Sequence, residues 1–332
     1  MGLFDFGKKK KASAVPQEPL ENHPQLLTAK LLFASKPTID KNSITKQLAV
    51  AYPGAHSPDT DSVALFSFPS MEVEFEKGNI PAQCTIMQPS PGNEEVEVAP
   101  EALQQNWHWA EAAESANACK YEVLVTDFMA RTLDYKTRLR LFMDFLVAVT
   151  RTTSPQAVYA VAAQKLIAPD DLIAAWTHPD QRALHGLVNV RLFNIGNGSA
   201  DEILMDTVGL HLLGLPDFQI RFSGLDEGAV GQALWNYAYY VYEHGDIIAD
   251  GNTIQGLTPQ SKWKCERQIA LVAPNGSSFI CIHPEGTLQN PLLNRAGIPW
   301  LIPMPKLLSR FSCGLLSGST SQAQPVEPSN AA

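Results

Sequence analysis

Polar side chains interrupt an apolar stretch between Leu204 and Ile220, which reads LMDTVGLHLLGLPDFQI. The candidates for chemistry are Asp206, Thr207, His211 and Asp217. Aspartate and histidine together can bind a divalent metal or activate water, and threonine supplies a hydroxyl. The spacing of these residues, however, matches no recognised metal-binding or nucleophile pattern.

Turn chemistry explains the same residues without catalysis. Aspartate and threonine side chains can cap local backbone groups. Gly209 and Gly214 can adopt a positive φ or allow close packing, and Leu215-Pro216-Asp217 restarts the chain as a strand. For this stretch we favour the structural interpretation over a catalytic one.

A second group of charged residues follows a tyrosine-rich segment and comprises Glu243, His244, Asp246 and Asp250. Together with Asp206 and Asp217 it suggests an acidic pocket. An alternative function is therefore an uncharacterised hydrolase that uses Asp206, His211, Asp217 and Asp250, with or without a metal ion. This hypothesis requires the side chains to converge at one concave pocket. Ordinary roles compete with it, since His244 suits the negative end of a helix dipole and Asp250-Gly251 is typical of a turn.

Aromatic residues on one predicted helix, EGAVGQALWNYAYYVYEHG, are too numerous to share one buried face. Because tyrosine and tryptophan are enriched at binding hot spots, this helix is the best candidate for a partner or ligand surface. The residues predicted to line that surface are Trp235, Tyr239, Tyr240, His244, Asp250 and Trp263. Packing between two lobes explains the aromatic residues equally well. For Trp107-His108-Trp109 we expect such an inter-lobe contact rather than catalysis by His108.

Composition restricts the function classes. Hydrophobic residues are 45% and charged residues 18% of the 332, which predicts a folded body. The net charge of -9 argues against a general nucleic-acid binder. Phosphate-loop, nucleophile-elbow and metalloprotease motifs are missing, so we expect no cofactor and no metal. The cysteines lack zinc or dithiol spacing and indicate reduced thiols; they are Cys84, Cys119, Cys265, Cys281 and Cys313.

The N-terminal sequence MGLFDFGKKKKAS joins apolar residues to a run of lysines. The residues concerned are Leu3, Phe4, Phe6, Lys8, Lys9, Lys10 and Lys11. This pairing suggests weak association with an anionic membrane surface, although a disordered leader is the favoured interpretation. Phe6 stands where a myristoylation signal needs serine or threonine. With no signal peptide and no membrane-spanning run in the sequence, we expect a cytoplasmic protein.

Periodicity predicts the order β-α-β-β-α-β, with a helix begun near Asp40 and a hairpin around Gly78-Asn79. The predicted class is α+β: a ferredoxin-like (split βαβ) lobe, followed by a second, related α+β lobe with a mainly antiparallel sheet. The predicted division is a disordered basic leader over 1–25, lobes over 26–130 and 131–285, and an irregular C-terminal segment with a disordered tail over 286–332.

Three segments in the last third of the chain form a recognisable set: MDTVGLHLLGLPDFQIRFSGLD, ALWNYAYYVYEHGDIIADGNTIQG and KWKCERQIALVAP. They resemble the bacterial family catalogued as domain of unknown function 4261. The resemblance is carried by Asp206-Thr207-Val208-Gly209, Gly214-Leu215-Pro216-Asp217, Asp250-Gly251 and Trp263-Lys264-Cys265. It implies a bacterial α+β protein but no particular activity.

The aromatic excess beside acidic groups, without a nucleophile or metal pattern, favours a non-enzymatic bacterial module of unknown pathway. We expect it to bind an unidentified protein or small ligand between two lobes. A narrower hypothesis, an immunity or secretion-associated accessory role, rests on what such bacterial families often do.

Overall fold

The computed structural model describes residues 22–58, 63–89, 96–178, 182–195, 202–272 and 278–284, together with the backbone of 301–303. The N-terminal residues proposed for membrane contact, Leu3, Phe4, Phe6 and Lys8 to Lys11, lie outside the described residues, as does Cys313. The structure combines helices with strands that form two separate sheets, which confirms the α+β class.

The first sheet has six strands, and every neighbouring pair is antiparallel. They are β1 (Thr28–Phe33), β2 (Ala64–Phe75), β3 (Gly78–Met87), β4 (Tyr121–Met129), β5 (Ala157–Ala160) and β6 (Lys165–Ile167), in the order β2-β3-β4-β1-β5-β6. Strands β5 and β6 follow the boundary predicted after residue 130, yet they pair within this first sheet.

The ferredoxin-like arrangement is not found. A split βαβ needs β3 to lie between β1 and a parallel β2. Here β4 lies between β3 and β1, and β2 is at the sheet edge. The predicted single helix between β3 and β4 is two short helices, α2 (Pro100–Gln104) and α3 (Ala112–Asn117). At the break, the Gln105 side chain binds the backbone of Leu192 and the Asn106 side chain binds the amide of Leu166.

Three further helices pack against one face of the first sheet. They are α1 (Lys41–Leu48), α4 (Tyr135–Thr153) and α5 (Pro169–Thr177). Asp40 caps α1 by accepting hydrogen bonds from the amides of Asn42 and Ser43, as the sequence predicts for a helix begun near Asp40. The central helix α4 packs its Phe145 against Phe66 of β2. Helices α1 and α5 lie on either side of α4.

The second sheet follows the order β10-β11-β12-β9-β8-β7-β13. Its strands are β7 (Asn189–Ile195), β8 (Ile203–Val208), β9 (Asp217–Phe222), β10 (Thr253–Gln255), β11 (Lys262–Ile269), β12 (Ser278–His283) and β13 (Leu301–Pro303). All neighbouring pairs are antiparallel except β9 and β12, so the sheet is mainly antiparallel as predicted. Helix α6 (Glu227–His244) packs on one face and ends at Gly245, whose φ is 83°.

Buried side chains, rather than strand pairing, join the two sheets. Lys165 of β6 donates to the carbonyl oxygens of His185 at 2.7 Å and Val188 at 3.1 Å. The Gln105 amide exchanges two hydrogen bonds with the backbone of Leu192 in β7, at 2.9 and 3.1 Å. One continuous apolar core also runs from the α1, α4 and α5 layer to α6. The sheets are therefore distinct but share one core.

Candidate functional site

Asp206 on β8 is engaged in a buried ion pair with Arg191 on β7. Arg191 Nε donates to one carboxylate oxygen at 2.9 Å and Nη2 donates to the other at 2.5 Å. Each residue is 1% exposed. Burial raises the pKa of the Asp206 carboxyl, and the Arg191 charge opposes that rise. Asp206 therefore presents no exposed oxygen to a substrate or metal.

Asp217 at the start of β9 organises the turn between β8 and β9. Its carboxylate accepts hydrogen bonds from the Thr207 hydroxyl at 2.9 Å, the Leu210 amide at 3.1 Å, and the Gly209 and His211 amides at 3.2 Å each. His211 Nδ1 lies 2.7 Å from the same carboxylate, and both side chains are buried. These contacts support the structural interpretation of the stretch, because the polar groups of this turn bind one another.

The second acidic group lies elsewhere and has its own partners. Glu243 pairs with Lys136 at 2.8 Å, Asp246 pairs with Arg267, and Asp250 accepts a hydrogen bond from the Arg267 amide. Arg267 is on β11, and β12 and β9 separate that strand from the β8 strand of Asp206. Three strand spacings amount to about 14 Å. The hydrolase hypothesis requires Asp250 and Asp206 to lie at one pocket. The structure does not bring these two residues together.

Among the described residues, no group of three or more histidine, cysteine, aspartate or glutamate side chains is arranged to hold a metal ion. The cysteines described are buried and unpaired. Burial raises the pKa of Cys265 and of Cys281 to about 12 in each case, so both are thiols rather than reactive thiolates.

Several aromatic residues around α6 have packing roles. The Tyr237 hydroxyl donates to the Gln255 carbonyl at 2.5 Å, and its ring packs against Phe218. Tyr242 is buried against Tyr135 of α4, with ring centres 5.9 Å apart. Trp263, predicted to line the binding surface, is only 4% exposed and belongs to the core. For these rings the structure shows packing between elements, with Tyr242 and Trp263 buried and Tyr237 half-buried.

Among the remaining aromatic residues of α6, His244 is exposed, whereas Trp235, Tyr239 and Tyr240 are half-buried. Tyr240 stacks near His244 with ring centres 4.7 Å apart, and Trp235 lies 6.2 Å from Tyr239. Just beyond the end of α6, Ile247 is 52% exposed. We call Trp235, Tyr239, Tyr240, His244 and Ile247 the α6 patch. Of the six residues predicted to line a binding surface, the patch includes four and leaves out Asp250 and Trp263.

Lys165 is a residue that sequence patterns did not single out. It is 2% exposed, and its Nζ lies 5.4 Å from the centre of the Trp235 ring. Burial lowers the pKa of Lys165 to about 7. Two histidines lie beside it: the pKa of His185 is lowered to about 2 by the Lys165 charge and by burial, and that of His108 to about 3 by burial and by the Lys165 charge. The one sequence signal was a lone lysine inside the apolar run VAAQKLIA.

Comparison with known proteins gives a family match for α6 and part of the second sheet. This α+β region, residues 206–280, matches a family model described as Domain of unknown function (DUF4261), in agreement with the resemblance. The matched segment contains Asp206, Asp217, α6 and Trp263. No curated protein matches the chain, and no solved structure matches it. Among the described residues, no helix combines the length and apolar character needed to cross a membrane.

Proposed function

We propose that this protein is a non-enzymatic bacterial binding module that contacts a protein partner through the α6 patch. The observation that carries the proposal is the exposure of His244 and Ile247 at the end of α6, beside the half-buried Trp235, Tyr239 and Tyr240. Aromatic side chains supply large contact areas at a low cost in conformational entropy. An accessory role in immunity or secretion is a narrower form of the same proposal.

The chemistry of the surrounding residues supports binding over catalysis. Asp206, Asp217 and Asp250 have hydrogen-bonding partners within the fold, whereas the rings of the α6 patch lie where a partner can cover them. Nothing in the geometry favours the hydrolase alternative. We place the module in the cytoplasm, and the free buried cysteines support this, because unpaired thiols persist in reducing compartments.

A photo-crosslinking test addresses the α6 patch directly. A crosslinkable phenylalanine analogue replaces Tyr240 in the native bacterium, and the matched control replaces Phe128, which is 51% exposed on β4. We expect one crosslinked protein at position 240 that is missing at position 128. Equal products from both positions, or none from position 240, would count against the proposal.

The captured partner is then titrated with purified variants. The double substitution Tyr239→Ala/Tyr240→Ala tests the patch, and Tyr240→Ala/Ile247→Ala spares Tyr239, whose hydroxyl also contacts the Leu184 backbone. Truncated hot-spot residues typically cost about 2 kcal/mol or more, so we expect at least a roughly tenfold loss of affinity. The control Phe75→Ala/Phe128→Ala removes two exposed rings of the first sheet and should leave the affinity unchanged.

Weak membrane association through the N-terminus is a separate proposal, based on the sequence alone. Lys8 to Lys11 would contribute roughly 1 kcal/mol each at an anionic surface, and Leu3, Phe4 and Phe6 would insert into it. Deletion of residues 2–12 should release the protein from phosphatidylserine vesicles. Equal vesicle binding before and after the deletion rejects the tether.

A further inference from the structure

A surface cleft of about 550 Å³ lies between α1 and α5 and along α4, beside the first sheet. This volume is within the range of small-molecule sites. Its walls include Tyr52, Trp176 and Ala51. Arg140 and Arg151 also line it. None of the α6 patch residues contributes to the lining, so the cleft is independent of the proposed docking surface.

One face of α4 supplies the cleft with two cations and an apolar centre. Arg140, Asp144, Val147 and Arg151 follow one another at intervals of three or four residues, which places them on the same side of the helix. The two arginines are exposed, whereas Val147 is buried between them. At 1.5 Å per residue their Cα atoms are about 16 Å apart along the axis.

Asp144 does not neutralise these cations by direct pairing. Its Oδ2 accepts a hydrogen bond from the Tyr52 hydroxyl at 2.7 Å, and its Oδ1 accepts one from Trp176 Nε1 at 2.7 Å. The carboxylate therefore fixes two aromatic walls of the cleft. Within the described part of the chain, neither Arg140 nor Arg151 forms an ion pair. Both guanidinium groups keep donors available for carboxylate or phosphate oxygens.

We propose that this cleft binds an elongated small molecule that carries an anionic group at each end and an apolar section between them. Arg140 and Arg151 bind the two ends, and the apolar section lies over Val147 and Ala51. The rigid walls held by Asp144 preorganise the site. A compact anion binds one arginine only and leaves the exposed Ala51 uncovered.

Calorimetric titration of the intact protein with α,ω-dicarboxylates tests the proposal. We expect sebacate, a long member of the series, to bind in the millimolar range or tighter, and succinate to bind more weakly. Arg140→Gln and Arg151→Gln should each weaken sebacate binding about tenfold, because each removes a charge-assisted hydrogen bond. The control Arg131→Gln removes an exposed arginine that does not line this cleft and should have no effect.

A steric variant separates binding in the cleft from general charge attraction. Ala51→Trp fills the cleft from an exposed position and should abolish sebacate binding while the melting temperature is retained. Failure of sebacate to bind at millimolar concentrations, or equal weakening by Arg131→Gln, would overturn the proposal. The outcome does not bear on the predictions for the α6 patch, because none of these substitutions is in that patch.

Discussion

The Lys165 ammonium lies over the face of the Trp235 ring, with Nζ 5.4 Å from the ring centre. Two carbonyl oxygens, of His185 and Val188, complete its contacts. Lys165 has no carboxylate partner among the described residues, so no opposite charge offsets the effect of burial on its charged form. The side chain joins β6, the segment before β7 and α6, and it links the α6 patch to the junction between the sheets.

Lys165 should make folding stability depend on pH above neutrality. Its pKa is lowered from 10.5 to about 7 in the folded protein. Between these values the unfolded chain binds a proton that the folded protein does not, so the free energy of unfolding rises with pH. The slope from one group is at most about 1.4 kcal/mol per pH unit. Below the folded pKa the lysine is charged in both states, and this contribution to the slope disappears.

Urea unfolding of Lys165→Met measures this contribution. We expect a smaller rise in the free energy of unfolding between about pH 7 and pH 9 than in the unsubstituted protein. Lys136→Met, at a half-exposed lysine paired with Glu243, is the matched control and should leave the rise in place. The same slope in Lys165→Met and in the unsubstituted protein would show that Lys165 titrates normally in the fold.

Much of the fold was predictable from local patterns. Helix α6 and its stop at Gly245 follow from the apolar spacing and the glycine, and α1 follows from its Asp40 cap. The strand order was not predictable, because β4 pairs with β1 through contacts far apart in the sequence. Strand β12 was missed: its sequence SFICIH is short, and its place between β11 and a parallel β9 depends on pairing far apart in the sequence.

The candidate site was predictable only in part. Aromatic excess pointed to α6, yet it could not separate Trp263, which is buried, from Tyr240, which is half-buried. That difference depends on tertiary packing, which places Trp263 of β11 inside the core. The cleft along α4 was missed entirely, because Arg140 and Arg151 acquire meaning only when α1 and α5 form walls beside them.

Asp217→Ala should be among the most destabilising substitutions in the chain. Removal of this carboxylate leaves the buried amides of Gly209, Leu210 and His211 without their acceptor. Each unsatisfied buried group costs about 1–3 kcal/mol, so we expect a loss of more than about 3 kcal/mol in the free energy of unfolding. Asp250→Ala, at an exposed turn, should cost no more than about 1 kcal/mol. Similar losses for the two variants would contradict the role of Asp217 in the turn.

Gly209→Ala tests the close approach of that turn to the segment before β7. Gly209 has a φ of 133°, and an added Cβ would collide with the backbone carbonyl of Leu187. We expect a loss of at least about 2 kcal/mol, since both the backbone conformation and the space exclude a side chain. Gly224 has a φ of 69° with open space around it, so Gly224→Ala isolates the backbone strain at about 1 kcal/mol. Chemical unfolding should therefore rank Gly209→Ala well below Gly224→Ala in stability.

The Arg191 and Asp206 pair distinguishes a structural carboxylate from a functional one. Loss of one partner leaves an uncompensated buried charge, so Arg191→Met and Asp206→Leu should each cost about 3–5 kcal/mol. The double substitution removes both charges and should cost less than either single substitution, although Gln164 then loses its hydrogen bond from Arg191. If Asp206 served binding instead, Asp206→Leu would leave stability nearly unchanged and reduce partner affinity. A double-mutant cycle in urea, combined with the affinity titration of the α6 partner, separates these outcomes.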